Sequence, residues 1–562
     1  MLYPLPLSRF GFRPLYQRSV LAFAVLGGFA PAALDLAAQP TAAVQPTRAP
    51  APVGMFEDHA DIGIAPAPGA AAFDAAKQAY TITGGGNNMW AKVDAFHFAW
   101  KKMAGDLSFA ADIAFHPNAT GPSDPHRKAC LIIRQSLDAD SAYIDAATHG
   151  DGLTALQFRD TKGAPTREVM SNIVGPVRMR IEKRGDTFTL YLGKAGEDPK
   201  YTGASYSLKL QEPFYVGFAV GAHNGNDTST RVETVTFSNV ELKTNLPVGT
   251  PQLYSTLETQ ASNPVNANQT QNTDRVVLYV TPGSIEGPLW LPDNSAVVFS
   301  RGGRLYKLPI RLPVRARLPD GKQGPAPVLG AAPLANGEPV LIDTGKYNAI
   351  GRVHGLSPDG QHVIFVDRSQ GTAPAGQRPP PNTYMVPLAG GTPKLLTPNT
   401  GAGSSISPDG KTFVFDMDTT PDIFTIPVDG SAPAKRLTNG QGKNYGPQFS
   451  PEGNSILFCS DRSGSMQIWK MKPDGTEPVQ LTQDENNNWF PRLSPNGTYA
   501  VFVTYPKGTV GDPPNSEVEV RRLNLATGAN DQMGRLIGGP ASAPTFSPAN
   551  NQLMFVSYRM VH

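Results

Sequence analysis

One short pattern recurs through the C-terminal half of this chain and leaves few folds open to it. Six times an apolar residue is followed by Ser-Pro-Asp-Gly or a variant of it and then by a hydrophobic run. The first copy is Leu291-Pro292-Asp293-Asn294 before AVVFS, and the second is Ser357-Pro358-Asp359-Gly360 before HVIFVD. Ser407-Pro408-Asp409-Gly410, Ser450-Pro451-Glu452-Gly453, Ser494-Pro495-Asn496-Gly497 and Ser547-Pro548-Ala549-Asn550 complete the series. Proline presets φ for a turn, Asp and Asn tolerate a left-handed backbone, and glycine accepts one freely, so each copy reads as a hairpin turn. A repeat of roughly 40 to 70 residues signals a ring or stack of small units.

Five of the six hairpins are followed by a third strand, LYKLPI, TYMVPL, DIFTIPV, QIWKMKP and EVRRLNL, and three of them by a short fourth ending at Leu396-Thr397, Leu437-Thr438 or Leu481-Thr482. Four strands per repeat is the pattern of a propeller blade. The sixth hairpin, Thr545 to Tyr558, reaches the C-terminus with two strands, and QLYSTLETQ and DRVVLYVT within 252–280 can supply the missing pair. A ring closed in this way leaves no long free sheet edge. The expected propeller spans 250–562 and has six blades. The Ser-Pro-Asp-Gly hairpins, the Asp461-Arg462-Ser463-Gly464 loop and QIWKMKPDGTEPVQLT resemble the repeats of TolB-type propellers. The resemblance implies the fold over about 310 residues and extends to no particular activity, because related repeats occur in peptidase propellers, lyases and exported proteins of other kinds.

Residues 54–245 carry no repeat. Strand-like runs such as DLSFAADIAF, KACLIIRQS, VRMRIEKRG, TFTLYLG and FYVGFAVGAH, separated by Gly/Asp/Asn turns, predict a β-sandwich. KACLIIRQSLDADSAYIDAA, VRMRIEKRGDTFTLYLG and VGFAVGAHN resemble concanavalin-like, laminin-G-like jelly rolls. That resemblance implies glycan binding, for which Trp90, His97, Trp100, His126 and Arg127 are the candidates, with His149 beside them; core filling is the competing role for the two tryptophans. The fold class expected is therefore all-β, an N-terminal β-sandwich (jelly roll) followed by a six-bladed β-propeller.

Residues 1–18 hold Arg9, Arg13 and Arg18 and no acid; an apolar stretch follows from Ser19 to Leu34, then Ala37-Ala38. These are the parts of a secretory signal, expected over 1–38 and cleaved near Ala38. Residues 39–53, rich in Pro, Ala and Thr, read as a flexible linker. The destination is the periplasm or the cell surface, with no membrane span once the signal is removed. With 56 glycines and 54 prolines in 562 residues, the composition suits a turn-dense all-β chain. A formal net charge of +2 without a basic stripe gives nucleic acid nothing to bind. Cys130 and Cys459 sit in apolar runs of different expected domains and read as buried thiols.

No nucleophile elbow, metalloprotease helix or phosphate loop is present, so no catalytic residue, metal or cofactor is expected. The best place for a site is the propeller channel. Residues just before each turn should line it, which selects Arg352, His354, Gln448, Trp489 and Arg492 among smaller neighbours. A lone arginine there can take a carboxylate in a bidentate grip, as offered by an acidic sugar or a protein C-terminus. Oligogalacturonate-lyase propellers place several metal-binding histidines in this region, whereas here only His354 is available. Three functions follow: an exported binding protein whose jelly roll takes a glycan and whose propeller takes a ligand or envelope-protein partner, a polysaccharide lyase or hydrolase working in the channel, and a TolB-like scaffold. A monomer is expected.

Overall fold

The computed structural model describes residues 49–117, 123–175, 178–225, 228–247, 252–261, 273–311, 334–335, 337–369, 379, 381–398, 403–417, 419–513, 516–539, 542–549 and 552–561. The expected signal and most of the linker lie outside them. Among the described residues there is no α-helix, and none of the secondary structure is long and apolar enough to cross a membrane as a helix.

The chain first forms β1 (Asp58–Ile62), β2 (Ala70–Asp74), β3 (Ala79–Gly84), β4 (Phe96–Met103), β5 (Leu107–Phe115), β6 (Lys128–Arg134) and β7 (Tyr143–His149). Then come β8 (Thr154–Arg159), β9 (Arg167–Met170), β10 (Arg178–Arg184), β11 (Thr187–Gly193), β12 (Lys200–Ser207), β13 (Phe214–Gly221) and β14 (Glu233–Lys243). These strands lie in two sheets. One runs β12-β11-β10-β5-β14-β3-β2, and the other begins β1-β4-β13-β6-β7-β8-β9. Alternation decides what lies between them: Ala129, Leu131 and Ile133 of β6 join Phe109, Ile181, Phe188 and Phe237 of the facing sheet in one buried apolar cluster. The two sheets thus form a layered pair over a shared core.

The repeats follow. After β15 (Gln252–Ala261) and β16 (Thr273–Pro282) come β17 (Ile285–Trp290), β18 (Ala296–Arg301), β19 (Arg304–Arg311), β20 (Leu334–Ala335) and β21 (Val340–Ile342). Next are β22 (Ile350–Leu356), β23 (His362–Asp367), β24 (Asn382–Pro387), β25 (Lys394–Thr397), β26 (Ser404–Ile406), β27 (Thr412–Asp416), β28 (Ile423–Pro427) and β29 (Lys435–Arg436). The chain ends with β30 (Asn444–Phe449), β31 (Ile456–Ser460), β32 (Gln467–Met471), β33 (Val479–Gln480), β34 (Asn487–Leu493), β35 (Tyr499–Tyr505), β36 (Ser516–Asn524), β37 (Asn530–Gly538), β38 (Thr545–Phe546) and β39 (Gln552–Val561). They make five separate antiparallel sheets: β17-β18-β19 with β20 and β21, then β22–β25, β26–β29, β30–β33 and β34–β37 in simple order. Apolar clusters fill the space between consecutive sheets, as where Val414 and Ile423 meet Ile456 and Phe458. This is a β-propeller.

The turns work as their chemistry dictates. The Gly360 amide donates to the Ser357 carbonyl at 2.8 Å while the His362 amide donates to the Ser357 hydroxyl at 2.9 Å, and the same pair of bonds recurs at Ser407, Ser450 and Ser494. Gly360 has φ +68°, and in the variant first turn Asn294 takes +60° in its place, the one common side chain besides Asp that tolerates it.

The blade count differs from the expected six. Five sheets stand alone, and the strands expected to form the sixth pair in the order β16-β15-β39-β38 within an eleven-stranded sheet that continues into β9. The physical cause is β16, whose outer edge pairs in parallel with β9 (Arg275 opposite Val169, Val276 opposite Met170) instead of ending in solvent. The N- and C-terminal segments of the ring are joined by β15 and β39, paired over ten positions from Gln252–Val561 to Ala261–Gln552. Residues Pro50–His562 consequently form one compact unit.

Candidate functional site

The first strands β17, β22, β26, β30 and β34 contact one another in sequence, and β38 touches both β34 and β17. These strands are therefore neighbours, and Arg352 and Arg492 lie near enough to act electrostatically on His354. Arg352 and His354 come from β22, Gln448 from β30, and Trp489 and Arg492 from β34. Each of these strands is bulged, with register shifts at Ile350/Val353, Tyr445/Gln448 and Trp489/Arg492. A bulge re-aims the side chains beside it.

The His354 ring is buried, and its Nδ1 lies 2.8 Å from the Ser404 hydroxyl of the next blade. Burial first, and then the positive charges of Arg352 and Arg492, hold its pKa well below the ordinary imidazole value, so the ring is neutral at pH 7. Arg352 reaches toward Glu286 of β17 at 3.9 Å and lies over the Phe490 ring at 5.5 Å. Arg492 is half-buried and makes no hydrogen bond or ion pair among the described residues. Desolvation, with Arg352 as a second cause, lowers its pKa to about 10, which still leaves it charged.

Two carboxyls that the sequence reading missed complete the cluster. Glu286 and Asp512 both titrate higher than usual because they are desolvated, with Arg352 pulling the other way in each. Asp512 sits between β35 and β36, away from any pre-turn position, so counting back from the prolines could not find it. Glu286 stands six residues before Pro292, as Arg352 stands six before Pro358, so the same count that selected Arg352 reaches it. The remaining candidates take supporting positions. Gln448 accepts the Leu493 amide through Oε1 at 3.0 Å, tying two blades together. Trp489 is buried with Tyr445 and Phe490 in an apolar cluster.

In the layered pair, the candidates divide into two places. Trp100 is buried in the apolar cluster on the outer side of β4, and His97 is buried nearby with Nδ1 2.7 Å from Asp61 and Nε2 3.0 Å from His59. Trp90, His126, Arg127 and His149 gather instead around β6 and β7. The Lys128 ammonium lies 5.0 Å over Trp90, the His126 ring is 5.9 Å from His149, and Arg127 pairs with Glu233 at 2.9 Å. Beneath them is a row that the sequence reading did not single out: Asp145, Gln157 and Glu168, neighbours across β7, β8 and β9. Asp145 is fully buried with neither carboxylate oxygen hydrogen-bonded, and burial raises its pKa to about 7.

Among the described residues no group of three or more His, Cys, Asp or Glu side chains is arranged to hold a metal ion. Cys130 and Cys459 are free, buried thiols. The chemistry on offer in the channel is thus ionic and hydrogen-bonding: an unpaired guanidinium, a second guanidinium beside it and a neutral imidazole.

The TolB beta propeller domain family matches residues 355–561. An uncharacterized protein of Agrobacterium fabrum is 31% identical over 287 residues, which is 50% of this chain and 87% of that protein. A TolB homolog of Chlorobaculum tepidum is 31% identical over 102 residues, 18% of this chain and 21% of its own length. A solved structure of a candidate TolB from Agrobacterium tumefaciens is 28% identical and superposes with a TM-score of 0.44, covering 56% of this chain and 100% of that one. On the strength of the repeats, the match to the TolB beta propeller domain and the Agrobacterium fabrum relative, the chain belongs to the TolB-type β-propeller family.

Proposed function

We propose that this protein is an exported, non-catalytic binding protein whose propeller channel captures a carboxylate. The observation that carries the reading is Arg492, a charged guanidinium on a bulged channel strand with no ion-pair partner among the described residues. Leaving a partly desolvated cation unpaired costs stability, which is the pattern of a group kept for a ligand. Arg352 adds a second positive charge, and neutral His354 adds a hydrogen-bonding wall without further repulsion. In this reading the run β16-β15-β39-β38 serves as a sixth blade, the N-terminal layered pair is a concanavalin-like jelly roll that takes a glycan, and the protein works in the periplasm or at the cell surface as a monomer. Membership of the TolB-type family favours an envelope-protein C-terminus as the channel ligand; an acidic sugar offers the same carboxylate.

Titration calorimetry tests the proposal, using the wild type and Arg492→Met with uronic acid oligomers and with peptides bearing free or amidated C-termini. Binding that requires both the free carboxylate and Arg492 supports it. Binding of the same ligands by Arg492→Met with unchanged affinity would overturn it. Cleavage of a uronic acid oligomer by the wild type would shift the function to the lyase or hydrolase reading.

A further inference from the structure

A cleft of about 870 Å³ lies between β12, the outer strand β37 and β39, and none of the channel candidates lines it. Two sheet edges border it. β12 ends the seven-stranded sheet and β37 ends the β34–β37 sheet, each paired on one side only. β37 is unusual among the outer strands: it runs nine residues, Asn530–Gly538, where β21, β25, β29 and β33 run two to four. Long edges present unpaired amides and carbonyls, and proteins normally keep them short. Met533 lies at a register shift and has no partner on β36; its carbonyl instead accepts the side-chain amide of Gln260 at 2.8 Å, so the backbone there is turned toward the cleft.

The cleft is also rich in arginine, one of them without a carboxylate partner among the described residues. Arg167, Arg275, Arg535 and Arg559 line it against one lining acid, Glu517. Asp160 holds Arg167 at 2.9 Å, Glu258 holds Arg275 at 3.0 Å and Glu519 holds Arg535 at 3.1 Å. Arg559 has no carboxylate within ion-pair distance among the described residues and donates through Nε to the Ser205 hydroxyl at 2.8 Å.

We propose that this cleft binds an extended acidic peptide segment, which adds to the open edge of β37 as a further strand while its acidic side chains meet Arg559 and its neighbours. Main-chain bonds to a free edge supply affinity in strand addition, and the flanking side chains supply selectivity. A volume of this size is within the range of pockets that take small ligands, and a strand of five or six residues is the usual length of such a pairing. The site is separate from the channel and stands or falls independently of the carboxylate reading above.

The test uses the purified full chain and a soluble peptide of alternating glutamate and valine, with its glutamine counterpart as control. Fluorescence anisotropy should show binding of the acidic peptide that weakens as salt rises. Arg559→Gln should weaken it about tenfold, the effect of losing one charge-assisted pair. Hydrogen exchange should slow at the amides of 530–538 when the peptide is bound. Met533→Pro, which alters the backbone of β37 at its bulge, should also weaken binding, and its unfolding midpoint shows whether the fold survived. Equal binding of the two peptides, or binding with unchanged exchange at 530–538, overturns the proposal. So does occupation of the cleft by an acidic oligosaccharide when no acidic peptide binds.

Discussion

The imidazole Nδ1 of His354 and the hydroxyl of Ser404 meet at 2.8 Å, a bond that joins the first strands of two consecutive blades inside the channel. Both side chains are buried, so deleting one partner strands the other. Ser404→Ala should cost about 1–3 kcal/mol, the penalty for a buried group left unsatisfied, read as a lower urea midpoint with an unchanged slope.

The same histidine has a pH signature. Its folded pKa is depressed by burial and by Arg352 and Arg492, whereas in the unfolded chain it titrates near 6.5. Below that value the unfolded state binds a proton that the folded state refuses. Its contribution is therefore fully present above pH 6.5 and is lost as pH falls, at about 1.4 kcal/mol per pH unit. Unfolding of the wild type and His354→Gln compared between pH 7 and 5 should show the variant gaining on the wild type by up to that slope.

Asp145 should behave in the opposite sense. Burial raises its folded pKa to about 7, and an unfolded aspartate titrates near 3.9. The folded state holds the extra proton between these values, so this residue's contribution to stability is present below about pH 3.9 and is lost as pH rises toward 7. Asp145→Asn should therefore gain on the wild type as pH increases from 5 to 8, by a few kcal/mol at most. A melting-temperature difference that stays flat across that range would show that Asp145 is not titrating there.

Phe490 has φ +54°, a conformation that a β-carbon penalises by roughly 1–2 kcal/mol. It stands before Pro491, where the equivalent strand positions before Pro288 and Pro447 hold Gly287 and Gly446 at +58° and +62°. Truncating Phe490 loses its packing in either variant, so the informative comparison is between small residues. Phe490→Gly should be more stable than Phe490→Ala by about 1 kcal/mol, the reverse of the usual order in regular structure. Chemical unfolding of the pair measures it.

How much of this was legible in the sequence follows from how local each feature is. The Ser-Pro-Asp-Gly turns were legible because their bonds close within five residues, from Ser357 to His362 and its equivalents. The β15–β39 pairing was legible by counting, since the last hairpin lacked two strands. The parallel contact of β16 with β9 left no trace, because it depends on where two distant segments meet and involves few residues. Arg352, His354 and Arg492 were selected because charge stands out beside small neighbours. The surroundings of Trp489 were not legible because both faces of a blade strand are buried, so alternation does not say which way an aromatic ring points. Asp145 was passed over because nothing local marks a carboxyl whose partners are missing.

Arg492 joins stability and function in one measurement. Its guanidinium is half-buried, without a hydrogen bond or ion pair among the described residues, and its pKa is lowered to about 10 by desolvation. A cation in that state is a liability to the fold, since its lost hydration is not repaid by a partner. Replacing it with an apolar residue of similar length should leave stability unchanged or raise it by about 1 kcal/mol, since even paired buried charges exchanged for well-packed hydrophobes are often neutral or stabilising. The same change removes the group proposed to grip a carboxylate. Arg492→Met should therefore melt no lower than the wild type and yet lose carboxylate binding, with a drop of about tenfold or more for a charge-assisted pair. A variant that melts well below the wild type would instead identify Arg492 as a structural residue, held by the channel for the fold's own sake.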